Sequence, residues 1–139
     1  MLIVDTSGLL AAIDSDQRNH ARSREVLETR EGPFLLSPFA LAELDYLLAT
    51  KVGQRQQLAL LEEVGRGAFR LEPFTNADVK SAASVLDRYA DLNLGLADAS
   101  NVIIADRYGT TDILTLDERH FRAVVGDSGE PFRLLPADM

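Results

Sequence analysis

Two short apolar runs that each end in an aspartate restrict the fold most: Leu2-Ile3-Val4-Asp5 at the start and Ile113-Leu114-Thr115-Leu116-Asp117 near the end. Runs of this length, carrying β-branched residues and followed at once by turn chemistry, predict strands of a parallel sheet covered on both faces. Ligands of open α/β sheets gather at the carboxyl ends of the strands. Asp5 and Asp117 are therefore expected at one edge of the sheet, with the hydroxyls of Thr6 and Ser7 beside Asp5.

Strand and helix patterns alternate between these runs. Phe34-Leu35-Leu36 and Ala68-Phe69-Arg70-Leu71 read as further strands, and Phe132-Arg133-Leu134-Leu135-Pro136 as an edge strand blunted by its proline. Thr6 or Ser7 can cap a short helix carrying Leu9, Leu10 and Ile13, and a second helix runs from Asn19 to Arg30 before Gly32. Ser37-Pro38 pairs a capping hydroxyl with proline at the first helical position. The helix it opens, Phe39 to Thr50, is apolar nearly all round and is expected to be deeply buried. A further helix, Gln54 to Val64, places Leu58, Leu61 and Val64 on one face. Thr75-Asn76-Ala77-Asp78 forms a capping box before a face of Val79, Ala82, Ala83, Leu86 and Tyr89. Leu96 to Tyr108 is a helix stopped by Gly109. The expectation is a three-layer α/β/α domain with a central, mostly parallel sheet of roughly four or five short strands, residues 1–139 forming a single domain.

Composition narrows the setting. No run of 18 apolar residues occurs, so no membrane span is expected, and no basic segment precedes the apolar start as a signal peptide would require. The chain has no cysteine, which excludes disulfides and thiolate metal sites and fits a reducing, cytoplasmic location. With 22 acidic against 14 basic residues, the net charge of -8 argues against a general nucleic-acid binder. A cluster of acids holding a divalent cation would reverse that field locally.

Candidate acids stand in separate contexts. Asp5 and Asp117 close the two strands. Asp98 lies in the first turn of its helix, where the macrodipole favours a carboxylate, and Asn101 shares its face. Glu43 lies among Phe39, Ala40, Tyr46 and Leu47 at helical spacing, while Asp45 has Leu41, Leu48 and Ala49, so periodicity does not choose between the two. Any one of these acids alone reads as a cap or a turn residue. If they converge, their repulsion is relieved by raised pKa values or by a hard cation such as magnesium or manganese. The chemistry that such a cation supports is phosphodiester hydrolysis.

The motifs Ile3-Val4-Asp5-Thr6-Ser7-Gly8-Leu9, Ser37-Pro38-Phe39-Ala40-Leu41-Ala42-Glu43-Leu44, Leu96-Ala97-Asp98-Ala99 and Ile113-Leu114-Thr115-Leu116-Asp117-Glu118-Arg119-His120-Phe121 resemble those of PIN-domain ribonucleases. The likeness is greatest to the VapC toxin family of bacterial toxin–antitoxin pairs. It implies a PIN α/β sandwich and an Mg2+- or Mn2+-dependent endoribonuclease. It also implies that Asp5, Glu43, Asp98 and Asp117 form the acidic metal pocket, which breaks the tie in favour of Glu43. Thr6 and Thr115 match positions where a hydroxyl supports the carboxylates. The partners implied are an RNA substrate, a cognate VapB-like antitoxin and a second copy in a homodimer.

Other readings stand beside this one: a PIN nuclease of another pathway, a non-catalytic module whose acidic pocket docks a basic peptide, or a phosphotransferase using Asp5. Haloacid-dehalogenase-like enzymes, however, resemble Asp-x-Asp after the first strand, and position 7 is Ser. His20 and His120 are candidates for metal-free acid–base chemistry, but their contexts suit surface or supporting roles. Arg18, Arg22, Arg24, Arg30, Lys51 and Arg55 could line an RNA path or form a solvated face with Glu25 and Glu28.

Overall fold

A computed structural model describes residues 1–139. Five strands, β1 (Leu2–Val4), β2 (Phe34–Leu36), β3 (Arg70–Leu71), β4 (Asp112–Leu114) and β5 (Arg133–Leu135), form one sheet in the order β3-β2-β1-β4-β5. Every pairing is parallel, and Val4 at the end of β1 is level with Leu36 and Leu114 on its two neighbours. Side chains alternate across a strand. Ile3, Leu35, Ile113 and Leu134 accordingly enter the core on one face, and Leu2, Val4, Leu36, Leu114 and Leu135 that on the other.

Helices cover both faces. α5 (Asn76–Arg88), α6 (Leu96–Tyr108) and α7 (Glu118–Phe121) supply Ala82, Val85, Val102, Ile104 and Phe121 to the first core. α1 (Thr6–Ile13), α2 (His20–Thr29), α3 (Pro38–Leu47) and α4 (Gln54–Gly65) supply Leu9, Val26, Leu44 and Leu60 to the second. Each fully buried Leu, Ile or Phe side chain contributes about 1.5–3 kcal/mol by leaving water. α1 rests directly on β4 because residue 8 is glycine: a Cβ there would lie 2.4 Å from the Leu114 carbonyl oxygen. Gly109 ends α6 in the left-handed conformation, φ +64°. The capping box of α5 forms as expected, Thr75 and Asp78 each accepting from the other's backbone N–H. No helix is long and apolar enough to cross a membrane.

Four expectations about helix faces and caps need correction. The helix after Ser37 is not deeply buried. It runs Pro38–Leu47 into a π-helical turn, Leu48–Val52, and only Ala40, Leu44 and Leu48 are buried, while Ala42, Glu43, Tyr46 and Ala49 face solvent. Its contact with the sheet is a single stripe at i, i+4 spacing, so its other apolar residues have nothing to pack against. In α4 the buried residue is Leu60, whereas Leu58 and Leu61 are 56% and 39% exposed. In α5, Val79 and Ala83 face outward beside the buried Ala82 and Val85. Finally, Thr6 and Ser7 do not cap α1; that helix begins at Thr6 itself and no side chain caps it. Both hydroxyls are engaged elsewhere.

Candidate active site

The carboxyl end of β1 puts Asp5 at the centre of the sheet edge, 4% exposed. Its carboxylate is held on both oxygens. Oδ1 accepts from the Asn101 amide on α6 at 3.0 Å, and Oδ2 accepts from the Thr115 hydroxyl at 2.8 Å and the Ser7 hydroxyl at 3.2 Å. The Leu116 N–H donates to Ser7 Oγ at 3.0 Å and the Asp117 N–H to Thr115 Oγ1 at 3.0 Å. The segment after β4 is thereby bound to the segment after β1. Burial lifts the Asp5 pKa to about 6; the Thr115 hydrogen bond opposes the rise, and the charge of Asp98 adds to it.

Asp98 sits in the first turn of α6, where it accepts the Gly95 N–H at 2.9 Å. Burial raises its pKa, the Gly95 bond counteracts this, and Asp117 adds a further push upward. Asp117 occupies the N-cap of α7. Its Oδ1 accepts the His120 N–H at 3.1 Å, and its Oδ2 faces His120 Nδ1 at 2.8 Å. The ring's Nε2 is 2.9 Å from the Leu92 carbonyl oxygen. Carboxylate oxygens of Asp98 and Asp117 and a ring nitrogen of His120 all lie within 4.8 Å of one another. The ring bridges the Asp117 carboxylate and the Leu92 carbonyl and so orients Asp117.

Glu43 is exposed on α3, and its Oε1 accepts the Thr6 hydroxyl at 2.8 Å. Asp45 turns the other way and accepts from Gln57 of α4 at 2.8 Å. Side-chain geometry therefore separates two acids that periodicity left equivalent. The N-terminus of α3 is tied to α6 through Ser37 and Ser100, whose hydroxyls lie 2.6 Å apart. The expected site residues fall into a buried wall of Asp5 and Thr115, a half-exposed wall of Asp98 and Asp117, and an outer pair of Thr6 and Glu43. Ser7 joins them beside Asp5 as expected, and Asn101 and His120 join them in roles that the sequence did not specify. Asn101 shares the Asp98 face, and that i, i+3 spacing was its only signal. His20 does not pair with His120, because its Nδ1 is bound to the Ala11 carbonyl oxygen at 2.8 Å.

The donor set suits a hard divalent cation. None of Asp5, Glu43, Asp98 and Asp117 is within salt-bridge distance of a lysine or arginine; the basic side chain beside them is the His120 imidazole, 2.8 Å from Asp117 and 4.0 Å from Asp98. The Oδ1 of Asn101, buried beside Asp5, has no hydrogen-bond partner. Oxygen-rich, uncompensated acids of this kind match the ligand preference of magnesium and manganese.

The chain belongs to the PIN-domain family, whose profile matches residues 2–126. It is 43% identical to Ribonuclease VapC26 of Mycobacterium tuberculosis over 135 residues, covering 97% of this chain and 100% of that protein. The fold superposes with a TM-score of 0.79 on the crystal structure of M. tuberculosis VapC20, a Sarcin-Ricin loop cleaving toxin, at 20% identity over 84% of this chain and 90% of that one. FitAcB from Neisseria gonorrhoeae superposes with a TM-score of 0.61 at 20% identity, over 91% and 95% of the two chains.

Proposed function

We propose that the protein is a metal-dependent endoribonuclease acting as the toxin of a VapBC-type toxin–antitoxin pair, with Asp5, Asp98 and Asp117 as the principal Mg2+ or Mn2+ ligands. The observation that carries this reading is the gathering of carboxylates at one sheet edge with no lysine or arginine to balance them. A bound divalent cation supplies an activated water and offsets the charge on the phosphoryl oxygens. The protein's own share is positional. Thr115, Ser7 and Asn101 fix both oxygens of Asp5, His120 fixes Asp117, and the Gly95 N–H fixes Asp98. Such preorganisation spares reorganisation at the moment of reaction. Glu43, paired with Thr6 at the open side, is suited to accept a proton from the attacking water or to complete the ligand set.

The expected products carry 5′-phosphate and 3′-hydroxyl ends. Incubating the purified protein with RNA and Mg2+ or Mn2+, then identifying the new ends, tests this. Cleavage that persists in excess chelator, or in Asp5→Asn, overturns the mechanism.

The partners belong to the same proposal: an RNA substrate, a VapB-like antitoxin and a second copy in a homodimer. Large exposed apolar side chains on α3 and α4, Tyr46 at 66%, Leu58 at 56% and Leu61 at 39%, support burial against protein. Light scattering on the isolated chain and on its co-expressed complex reads both assemblies.

A further inference from the structure

The chain's net charge is -8, and RNA must approach a rim of carboxylates, so the placement of uncompensated cations decides where the polymer can lie. Seven of the twelve arginines sit within salt-bridge distance of a carboxylate: Arg24, Arg30, Arg66, Arg70, Arg107, Arg122 and Arg133. Among the other five, Arg22 alone is fixed by a hydrogen bond. Its acceptor is neutral, the Pro136 carbonyl oxygen at 2.9 Å. A guanidinium has five N–H donors, so this bond orients the group while leaving its charge and most of its donors available.

Arg22 lines a cleft of about 120 Å³ with Asn19, Thr115, Leu116, Glu118, Pro136 and Ala137. Thr115 is the same residue whose hydroxyl donates to Asp5, so the cleft opens directly beside the buried wall of the site. Asn19 stands at the N-cap of α2 but does not cap it, and its amide makes no hydrogen bond. Glu118, the one acid in the lining, is held by Arg122 at 3.0 Å. α2 itself is fastened to α1 through the bond from His20 to Ala11. The cleft therefore presents an oriented guanidinium and a free amide on a rigid element, next to the reacting centre.

We propose that this cleft is a substrate-positioning subsite, in which Arg22 and Asn19 bind a backbone phosphate of RNA adjacent to the bond being cut. The inference rests on the endoribonuclease reading above. Arg22 supplies charge and donors to the phosphate oxygens, and Asn19 supplies an uncharged N–H donor beside it. The pair compensates for the repulsion of the acid rim on the Thr115 side and sets the register of the strand.

The test uses the full chain with Mg2+ or Mn2+ and a short single-stranded RNA, measuring KM and kcat as salt is varied. Arg22→Gln should raise KM roughly tenfold with little change in kcat, as expected for one lost charge-assisted contact. It should also lower the slope of log KM against log salt by about 0.7, the share of one phosphate contact in a single strand. Arg22→Lys should recover most of that slope. Asn19→Ala, which leaves the bond to Pro136 intact, should raise KM roughly two- to fivefold without altering the slope. Unchanged KM and slope in Arg22→Gln overturn the subsite, as does a fall in kcat with a lowered Tm and an unaltered slope, the mark of a purely structural tie to Pro136. Should Arg22→Gln not fold, an unchanged KM in Asn19→Ala overturns it. Absence of any RNA cleavage by the unsubstituted protein would instead overturn the endoribonuclease reading itself.

Discussion

The two walls of the acidic site are built on opposite terms. Asp5 is buried and bonded on both oxygens to groups from α1, α6 and the loop after β4. Asp98 and Asp117 are half-exposed and held by groups of their own segments, Gly95 and His120. The buried wall is rigid and costs stability when ionised; the half-exposed wall keeps access to water, although burial raises the pKa of Asp98 there too. A cation pocket benefits from both, one carboxylate to fix position and two to close around the ion.

Activity gives the broadest test of this contrast. Asp5→Asn, Asp98→Asn and Asp117→Asn should each lower the RNA cleavage rate by about a thousandfold or more, several kcal/mol of transition-state stabilisation. Glu43→Gln should lose only about ten- to a hundredfold, since that side chain stands outside both walls. Equal losses at all four positions would erase the distinction.

Stability should separate Asp5 of the buried wall from Asp117 of the half-exposed one. The pKa of Asp5 rises from 3.8 to about 6 on folding, so its carboxyl is more readily protonated in the native state. Its contribution is unfavourable above pH 6, by about 3 kcal/mol, and vanishes below pH 4, where both states are protonated. Metal-free Asp5→Asn should therefore be more stable than the parent at pH 7.5, by about 1–3 kcal/mol or roughly 3–4 °C of Tm per kcal/mol. The gain should fade as pH drops through 6 and be absent below 4. Asn101 can rotate to offer its unpartnered oxygen to the new amide. Asp117→Asn should stay within about 0.5 kcal/mol, because asparagine caps a helix as well as aspartate does. Thermal melts across pH check both.

Smaller effects should follow from the supporting groups. Thr115→Val removes the donor to Asp5 and the acceptor for the Asp117 N–H. It should cost about 1–3 kcal/mol in denaturant unfolding and about ten- to a hundredfold in activity. His120→Gln should cost about 1 kcal/mol and loosen Asp117, weakening metal affinity more than folding; calorimetric titration reads the difference.

Much of this architecture was legible because local signals agreed with the final packing. β1, β2 and α6 fall where apolar runs, caps and Gly109 place them, and the Thr75–Asp78 box forms as written. The errors arose where a helix is apolar on more than one side. For α3 and α4, periodicity cannot say which stripe meets the sheet, and the stripes that do are Ala40-Leu44-Leu48 and Leu60. The acids were visible in their motifs and Ser7 was expected beside Asp5, but the roles of Asn101 and His120 were not specified. Asn101 reaches Asp5 across 96 residues and His120 is wedged against the Leu92 carbonyl 28 residues away, and no local pattern records such contacts.

The backbone bond from Thr115 to the Leu135 carbonyl oxygen, 3.0 Å long, ties the deepest support of Asp5 to the final strand. During synthesis, Asp5 leaves the ribosome well before β5, and parallel pairing of such distant segments is slow to form. A growing chain thus carries every carboxylate except Asp138 long before it has a nuclease site. Closure of the sheet, rather than synthesis of the acids, therefore sets when the pocket exists.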